Sequence, residues 1–241
     1  MHKHHVAHRY VYLALFILNV SFLQNIRDCT DVNIMMDPSQ MFPQGFHPIA
    51  TVLRKQGDVK APFHFSRTER PPKYYLIDFG ISRKFSVNET TPTVMPHVGA
   101  DPTAPEFRGE GESIPQNPFP TDIYYIGNLV KTHFIEVNDS FFKLSVPVPN
   151  TQTQEYTNFD FMSDLVNDMI QEDPGKRPTI DEAMARLNSI ISSLGFFKPR
   201  SRLHPAGMPS IFFFLFKQIP HVFREMNYTI RGLCPVPYPG K

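Results

Sequence analysis

Residues 73–80 read Lys-Tyr-Tyr-Leu-Ile-Asp-Phe-Gly, an apolar stretch of strand character running straight into Asp78-Phe79-Gly80. Four further short signals stand around this one in a fixed order. Upstream is Arg27-Asp28, with Asn33 five residues after the aspartate. Downstream come Ala104-Pro105-Glu106, then Asp122 with Gly127, then Arg177 inside Asp-Pro-Gly-Lys-Arg-Pro-Thr at 173–179. Taken alone, Asp28 and Asp78 could be turn residues flanking strands. The joint order and spacing make that the weaker reading.

Each residue type suits a chemical task. A carboxylate can orient the proton of an acceptor hydroxyl, and an Asn carbonyl with a second carboxylate supplies hard oxygen ligands of the kind Mg²⁺ takes. Asp78-Phe79-Gly80 resembles the metal-binding triplet of protein kinases, and Ala104-Pro105-Glu106 resembles the close of their activation segment. Asn-Ile-Met-Met-Asp-Pro (33–38), the long insertion after it, Lys73 to Gly80, and Pro-Phe-Pro-Thr-Asp-Ile-Tyr-Tyr-Ile-Gly-Asn (118–128) together resemble one family. It is the large group of protein-kinase-like proteins expanded in mushroom-forming fungi. The resemblance covers residues 1–9 and 28–195.

This resemblance implies an α+β, mainly helical, kinase-like C-terminal lobe with short catalytic-loop strands. It implies ATP with Mg²⁺ and Ser/Thr phosphorylation. By it, Asp28 is the catalytic base, Asn33 and Asp78 bind the metal and nucleotide, and Arg27, Phe79 and Gly80 shape the site. Glu106 pairs with Arg177, and Asp122 holds the catalytic-loop backbone. Two departures are visible. Kinases place a Lys two residues after the catalytic Asp or an Arg four after it, and here Thr30 and Val32 stand there. No Gly-x-Gly-x-x-Gly and no Val-Ala-x-Lys of an upper lobe occurs. The expectation is therefore an inactive, incomplete lobe with weak or no binding of ATP and Mg²⁺, with a non-catalytic pseudokinase or scaffold that binds protein partners as the alternative.

Composition narrows the classes further. Hydrophobic residues make up 41 %, enough for a core, and a net charge of +1 gives no global case for nucleic acid. The two cysteines, Cys29 and Cys234, lie far apart and one is in the presumed catalytic loop, so a reducing compartment fits and the cytoplasm is the expected location. His2, His4, His5 and His8 could bind metal in principle, but no spaced second ligand group follows, and they read as a partly exposed helix end entering the catalytic loop.

Residues 10–23 form the most apolar run, shorter than the roughly 20 residues that cross a bilayer and broken by Asn19. No small-x-small cleavage site follows it. Removing residues 10–27 would join His8-Arg9 to Asp28 and restore His-Arg-Asp, and the 18 residues correspond to a whole number of codons. A retained short intron explains this best. A membrane or signal segment over 10–26 and a natural loop insertion stand as alternatives.

The organisation read from sequence is 1–9 as the end of a helix, 10–27 as an insertion, 28–195 as the lobe and 196–241 as a tail. Residues 38–72 read as a Pro-rich surface insertion, with a partner surface as the alternative. Residues 81–103 read as an activation segment with Ser82, Ser86, Thr90, Thr91, Thr93 and Thr103 as candidate phosphoacceptors. A helix should open at Asp122, another should cover 161–170, and Thr179-x-x-Glu182 is a capping box for a third that Gly195 ends. In the tail, Ile211-Phe-Phe-Phe-Leu-Phe216 reads as an apolar segment docking on the lobe or on a membrane, and 233–241 as disordered.

If residues 10–27 are foreign to the fold, their deletion raises soluble yield, because exposed apolar surface costs about 25 cal/mol per Å² and favours aggregation. Lower yield of the deletion, or carbonate-resistant membrane integration of the full chain, would show that the segment belongs.

Overall fold

The computed structural model describes residues 29–30, 33–49, 54, 61–86, 89, 91–96, 101–137, 154–157, 159–201, 204–205 and 219–234. Arg27, Asp28, Val32, the insertion 10–27, the histidines before it and the run 211–216 lie outside these residues. The described residues form an α+β arrangement. Strand β1 (Ile34–Asp37) pairs antiparallel with β2 (Lys73–Leu76), with Ile34 opposite Leu76 and Met35 opposite Tyr75. Alternation then divides their side chains. Leu76 enters the core and Ile34 packs against it, whereas Met35 and Tyr75 face outward.

Helix α1 (Pro118–Val130) starts four residues before the expected Asp122. Its cap is Asn117, whose side chain accepts from Phe119 N at 3.1 Å, and Pro118 sits where a missing N–H costs nothing. Asp122 therefore lies inside the first turns and is buried, so it is no simple cap. After α1 the backbone widens into a π turn at Lys131–Ile135. It enters a small three-stranded sheet of β3 (Glu136–Val137), β4 (Gln154–Thr157) and β5 (His204–Pro205), in that spatial order.

The 161–170 segment forms a 3₁₀ turn at Asp160–Met162 continuing into helix α2 (Ser163–Met169). Asp173 then closes a turn by accepting from Gly175 N at 2.9 Å. Helix α3 (Ile180–Ser193) has the capping box in full, with Thr179 and Glu182 bonded reciprocally. It stops at Leu194, whose backbone turns extended, one residue before Gly195. Ile126, Leu165, Ala183 and Leu187 are all 0 % exposed and mark the centre where α1, α2 and α3 meet.

Gly127 lets α1 approach α2. A β-carbon there would lie 2.8 Å from Met169 Cβ and 2.9 Å from Ile170 Cγ2. Met169 Cβ is bonded to backbone and cannot swing away, so the close approach belongs to the glycine.

The tail contains a helix that the sequence reading did not anticipate, α4 (Ile219–Ile230). It lies on the Pro-rich excursion. Tyr228 Oη donates to Ser66 Oγ at 2.8 Å, and Arg231 Nη1 meets Glu69 Oε1 at 2.6 Å. The excursion is itself organised. Ser66 and Glu69 exchange hydrogen bonds across a turn, Arg70 stacks over Phe65, and Phe42 stacks on His64. Residues 61–70 are thus the seat of the chain's own C-terminal helix, a role beyond a bland surface insertion.

Replacing Gly127 with Ala should destabilise the fold by about 1–3 kcal/mol despite a helix-propensity gain of about 1 kcal/mol, because overpacking against a fixed Cβ outweighs it. Gly195→Ala is the control, since no atom lies within 4 Å of its would-be Cβ. Urea unfolding followed by circular dichroism measures both.

Candidate functional site

Of the expected site residues that are described, Asn33 and Asp78 fall in one place and Glu106 and Arg177 in a second. The first is the open end of the β1–β2 hairpin. Ile77 N donates to Asn33 O at 2.9 Å, which carries the ladder one step past Leu76. Asn33 and Asp78 are thereby brought to the same end of the hairpin although 44 residues separate them in sequence. Asn33 is buried, and its own N–H donates to Thr30 O at 3.1 Å, so the loop from Cys29 doubles back here. Cys29 is part of the hydrophobic core and anchors that loop from below. Cys29 and Cys234 both carry thiols, in keeping with the reading against a structural disulfide.

Asp78 is the one non-glycine residue at positive φ among the described residues, at φ 60°. An L-residue pays on the order of 1 kcal/mol for that conformation, and Asp tolerates it better than most. The turn is held locally. Asp78 Oδ1 accepts from Gly80 N at 3.2 Å, and Ser82 N donates to Phe79 O at 3.0 Å. A side chain on Gly80 would put its β-carbon 3.2 Å from the same carboxylate oxygen. Asp78 is exposed, as are Phe79, Ile77, Tyr75 and Met35 beside it. An aspartate presented on a strained turn at the mouth of a core is the kind of outlier found at functional sites.

The second place is the ion pair expected between Glu106 and Arg177. It is bidentate, with Nη1 to Oε1 at 2.8 Å and Nη2 to Oε2 at 2.7 Å. The side chains are 0 % exposed for Arg177 and 5 % for Glu106. Arg177 also donates to Pro120 O and Gln171 O, and its guanidinium lies over the Tyr124 ring. Thr121 Oγ1 donates to Glu106 Oε1 at 2.6 Å. Burial pushes the Glu106 carboxyl up, but the hydrogen bonds from Arg177 and Thr121 and the guanidinium charge outweigh it and hold the group below its ordinary value.

Between the two places runs the segment expected to be the activation segment. Its middle is fastened by a bridge between Val94 and Gln116, and Val94 is buried. Its end is strapped to α1. Tyr124 Oη donates to Thr103 O at 3.0 Å, and Asn128 Nδ2 donates to Asp101 Oδ2 and to Thr103 Oγ1. Thr103, one of the candidate phosphoacceptors, has its hydroxyl committed to Asp101 Oδ1 at 2.6 Å. Sequence reading missed this strap. The available signal was Tyr124 and Asn128 at i, i+4 on α1, both able to reach one loop.

Asn33 and Asp78 are the oxygen-bearing residues of the expected set that the described hairpin brings together, and both are of the kind a hard divalent cation takes. Among the described residues no cluster of three or more His, Cys, Asp or Glu side chains assembles. Thr30, where a kinase would carry Lys, is described, and its Oγ1 is buried without a hydrogen-bond partner.

Glu106→Gln should cost about 3–5 kcal/mol, because it leaves the Arg177 charge buried without its counter-ion. The stability difference between wild type and variant depends on pH. Glu106 has a depressed folded-state value, so its contribution is complete above the ordinary glutamate value of 4.5 and disappears as pH falls through the lower folded value. Urea unfolding at neutral pH and at stepped pH below 4.5 checks both statements. A pH-independent difference would show that the pair does not carry the effect.

No family model, curated protein or solved structure compared with this chain matches it.

Proposed function

We propose that the chain carries a Ser/Thr-type protein-kinase-like lower lobe in which Asn33 and Asp78 hold Mg²⁺ and Asp28 orients the acceptor hydroxyl. The reading rests on the juxtaposition of Asn33 and Asp78 at the end of the β1–β2 hairpin. It is supported by the buried Glu106–Arg177 pair, which joins two further positions of the motif series. When bound, Mg²⁺ with ATP supplies charge neutralisation on the phosphates, and the protein's share is positioning. Asp78 is held for that task by the left-handed turn and the Gly80 N–H. Asn33 is held by the hairpin ladder through its carbonyl.

In this reading the lobe binds metal and nucleotide weakly and does not transfer efficiently. Thr30 and Val32 stand where a cation would steady the transferring phosphate. One observation favours a scaffold as the second reading. Met35 (52 %), Tyr75 (49 %), Ile77 (41 %) and Phe79 (46 %) form an exposed apolar strip beside Asp78, which suits a protein partner.

Two measurements separate the readings. Titration with Mn²⁺ as a Mg²⁺ probe should show a site that Asp78→Asn weakens by more than about tenfold, the lower bound for loss of even an outer-shell partner. Phosphoryl transfer from labelled ATP should be below detection. Transfer abolished by both Asp28→Asn and Asp78→Asn would instead establish an active kinase. Metal binding indifferent to Asp78→Asn would overturn the metal site and leave the scaffold.

A further inference from the structure

Helix α4 is inverted relative to an ordinary surface helix. Its lobe-facing side is polar: His221, Glu225 and Tyr228 are its buried residues. His221 Nε2 donates to Arg200 O at 2.7 Å while Arg224 Nη2 donates to His221 Nδ1 at 2.9 Å. Tyr228 and Arg231 reach Ser66 and Glu69. The outward side is apolar: Ile219 (37 %), Val222 (51 %), Phe223 (68 %), Met226 (54 %) and Ile230 (83 %) are exposed. These positions follow i, i+3, i+4, i+7, i+11, a single stripe along the helix. A helix that spends its hydrogen bonds on the lobe and offers its apolar stripe to solvent is built to have that stripe covered.

Charge identifies the cover. The whole chain is balanced at +1, yet residues 196–241 carry seven Lys and Arg against a single acid, Glu225; two of the seven, Lys198 and Arg231, are paired with Asp160 and Glu69, and the tail keeps an excess of cations. Glu225 is among the buried residues of the helix and does not oppose an anionic surface. Immediately before the helix, the sequence Ile211-Phe-Phe-Phe-Leu-Phe-Lys217 adds an aromatic run ending in a cation. Apolar stripe, aromatic residues and flanking Lys/Arg together match an interfacial helix lying on anionic lipid. No helix among the described residues is long and apolar enough to cross a membrane, so α4 would lie on the surface and not span it.

We infer that the outward face of α4 is a membrane-docking surface that places the lobe against an anionic lipid bilayer. The chemistry differs from the nucleotide-side proposal, and the two stand or fall separately. A second copy of the chain would not be favoured by this charge, since two such tails repel.

The test is flotation of the full chain with vesicles of phosphatidylcholine alone and of phosphatidylcholine mixed with phosphatidylserine. The chain should float with the mixed vesicles, at least about tenfold less with neutral ones, and less again as salt is raised. Phe223→Ser combined with Ile230→Ser removes the two most exposed apolar side chains without touching the lobe contacts, and should abolish flotation with circular dichroism unchanged. Lys217→Glu, which reverses the cation that ends the aromatic run before the helix, should reduce flotation only on the anionic vesicles. Absence of flotation overturns the inference. So does flotation untouched by the double serine variant, or concentration-dependent dimers in light scattering that the same variant dissolves.

Discussion

The Glu106–Arg177 pair is the interaction on which the rest of the lobe depends. Two charges removed from water are costly, and only saturation of their hydrogen-bonding directions offsets that cost. Here the guanidinium meets both carboxylate oxygens, two backbone carbonyls and an aromatic face, and the carboxylate takes a hydroxyl besides. The partners come from the turn after Ala104, from the first turn of α1 and from the loop before α3. One ion pair therefore sets three segments relative to one another. With α1 so placed, Gly127 brings it against α2, and Tyr124 and Asn128 fasten the end of the preceding segment.

The proposed metal side depends in turn on register. Ile34 opposite Leu76 buries one face of the hairpin, and the next step brings Asn33 O to Ile77 N. A slip of one residue would turn Leu76 to solvent and move Asp78 away from Asn33. The turn after β2 then does what a regular strand could not. By taking a left-handed conformation at Asp78 it redirects the chain while leaving the carboxylate at the surface. Strain of this kind persists because the ladder and the Gly80 N–H hold the residue on both sides.

At the other end of the molecule, the excursion 61–70 and helix α4 need each other. The excursion's turn residues Ser66 and Glu69 are the groups that the helix engages. The lowered carboxyl of Glu69 reflects the same contact: burial opposes it, and the Arg231 and Ser66 hydrogen bonds prevail. Exposed on one partner, this ion pair contributes modestly. The contact's consequence is orientation, because it decides which side of α4 faces outward.

Local chemistry was legible in the sequence. The capping box at Thr179, the apolar spacing of α2 and α3, the strand that ends at Asp78 and the partnership of Glu106 with Arg177 could all be read, because each depends on neighbours or on a motif series with known order. Helix α1 was misjudged at its start, since Pro118 and Asn117 together cap more effectively than Asp122 and the aspartate was needed inside. Helix α4 falls outside the sequence reading although Ile219, Val222, Phe223, Met226 and Ile230 have helical spacing; Pro220 stands in its first turn, where a missing N–H costs nothing. By itself the sequence determined the periodicities, the caps and the polar residues available to pair. Only the tertiary structure decided that Tyr228 finds Ser66 across 162 residues, that Asn33 meets the strand leading to Asp78, and that α4 turns its polar side inward. Those outcomes depend on contacts between segments far apart in the chain, and no local propensity encodes which of several surfaces a helix will meet.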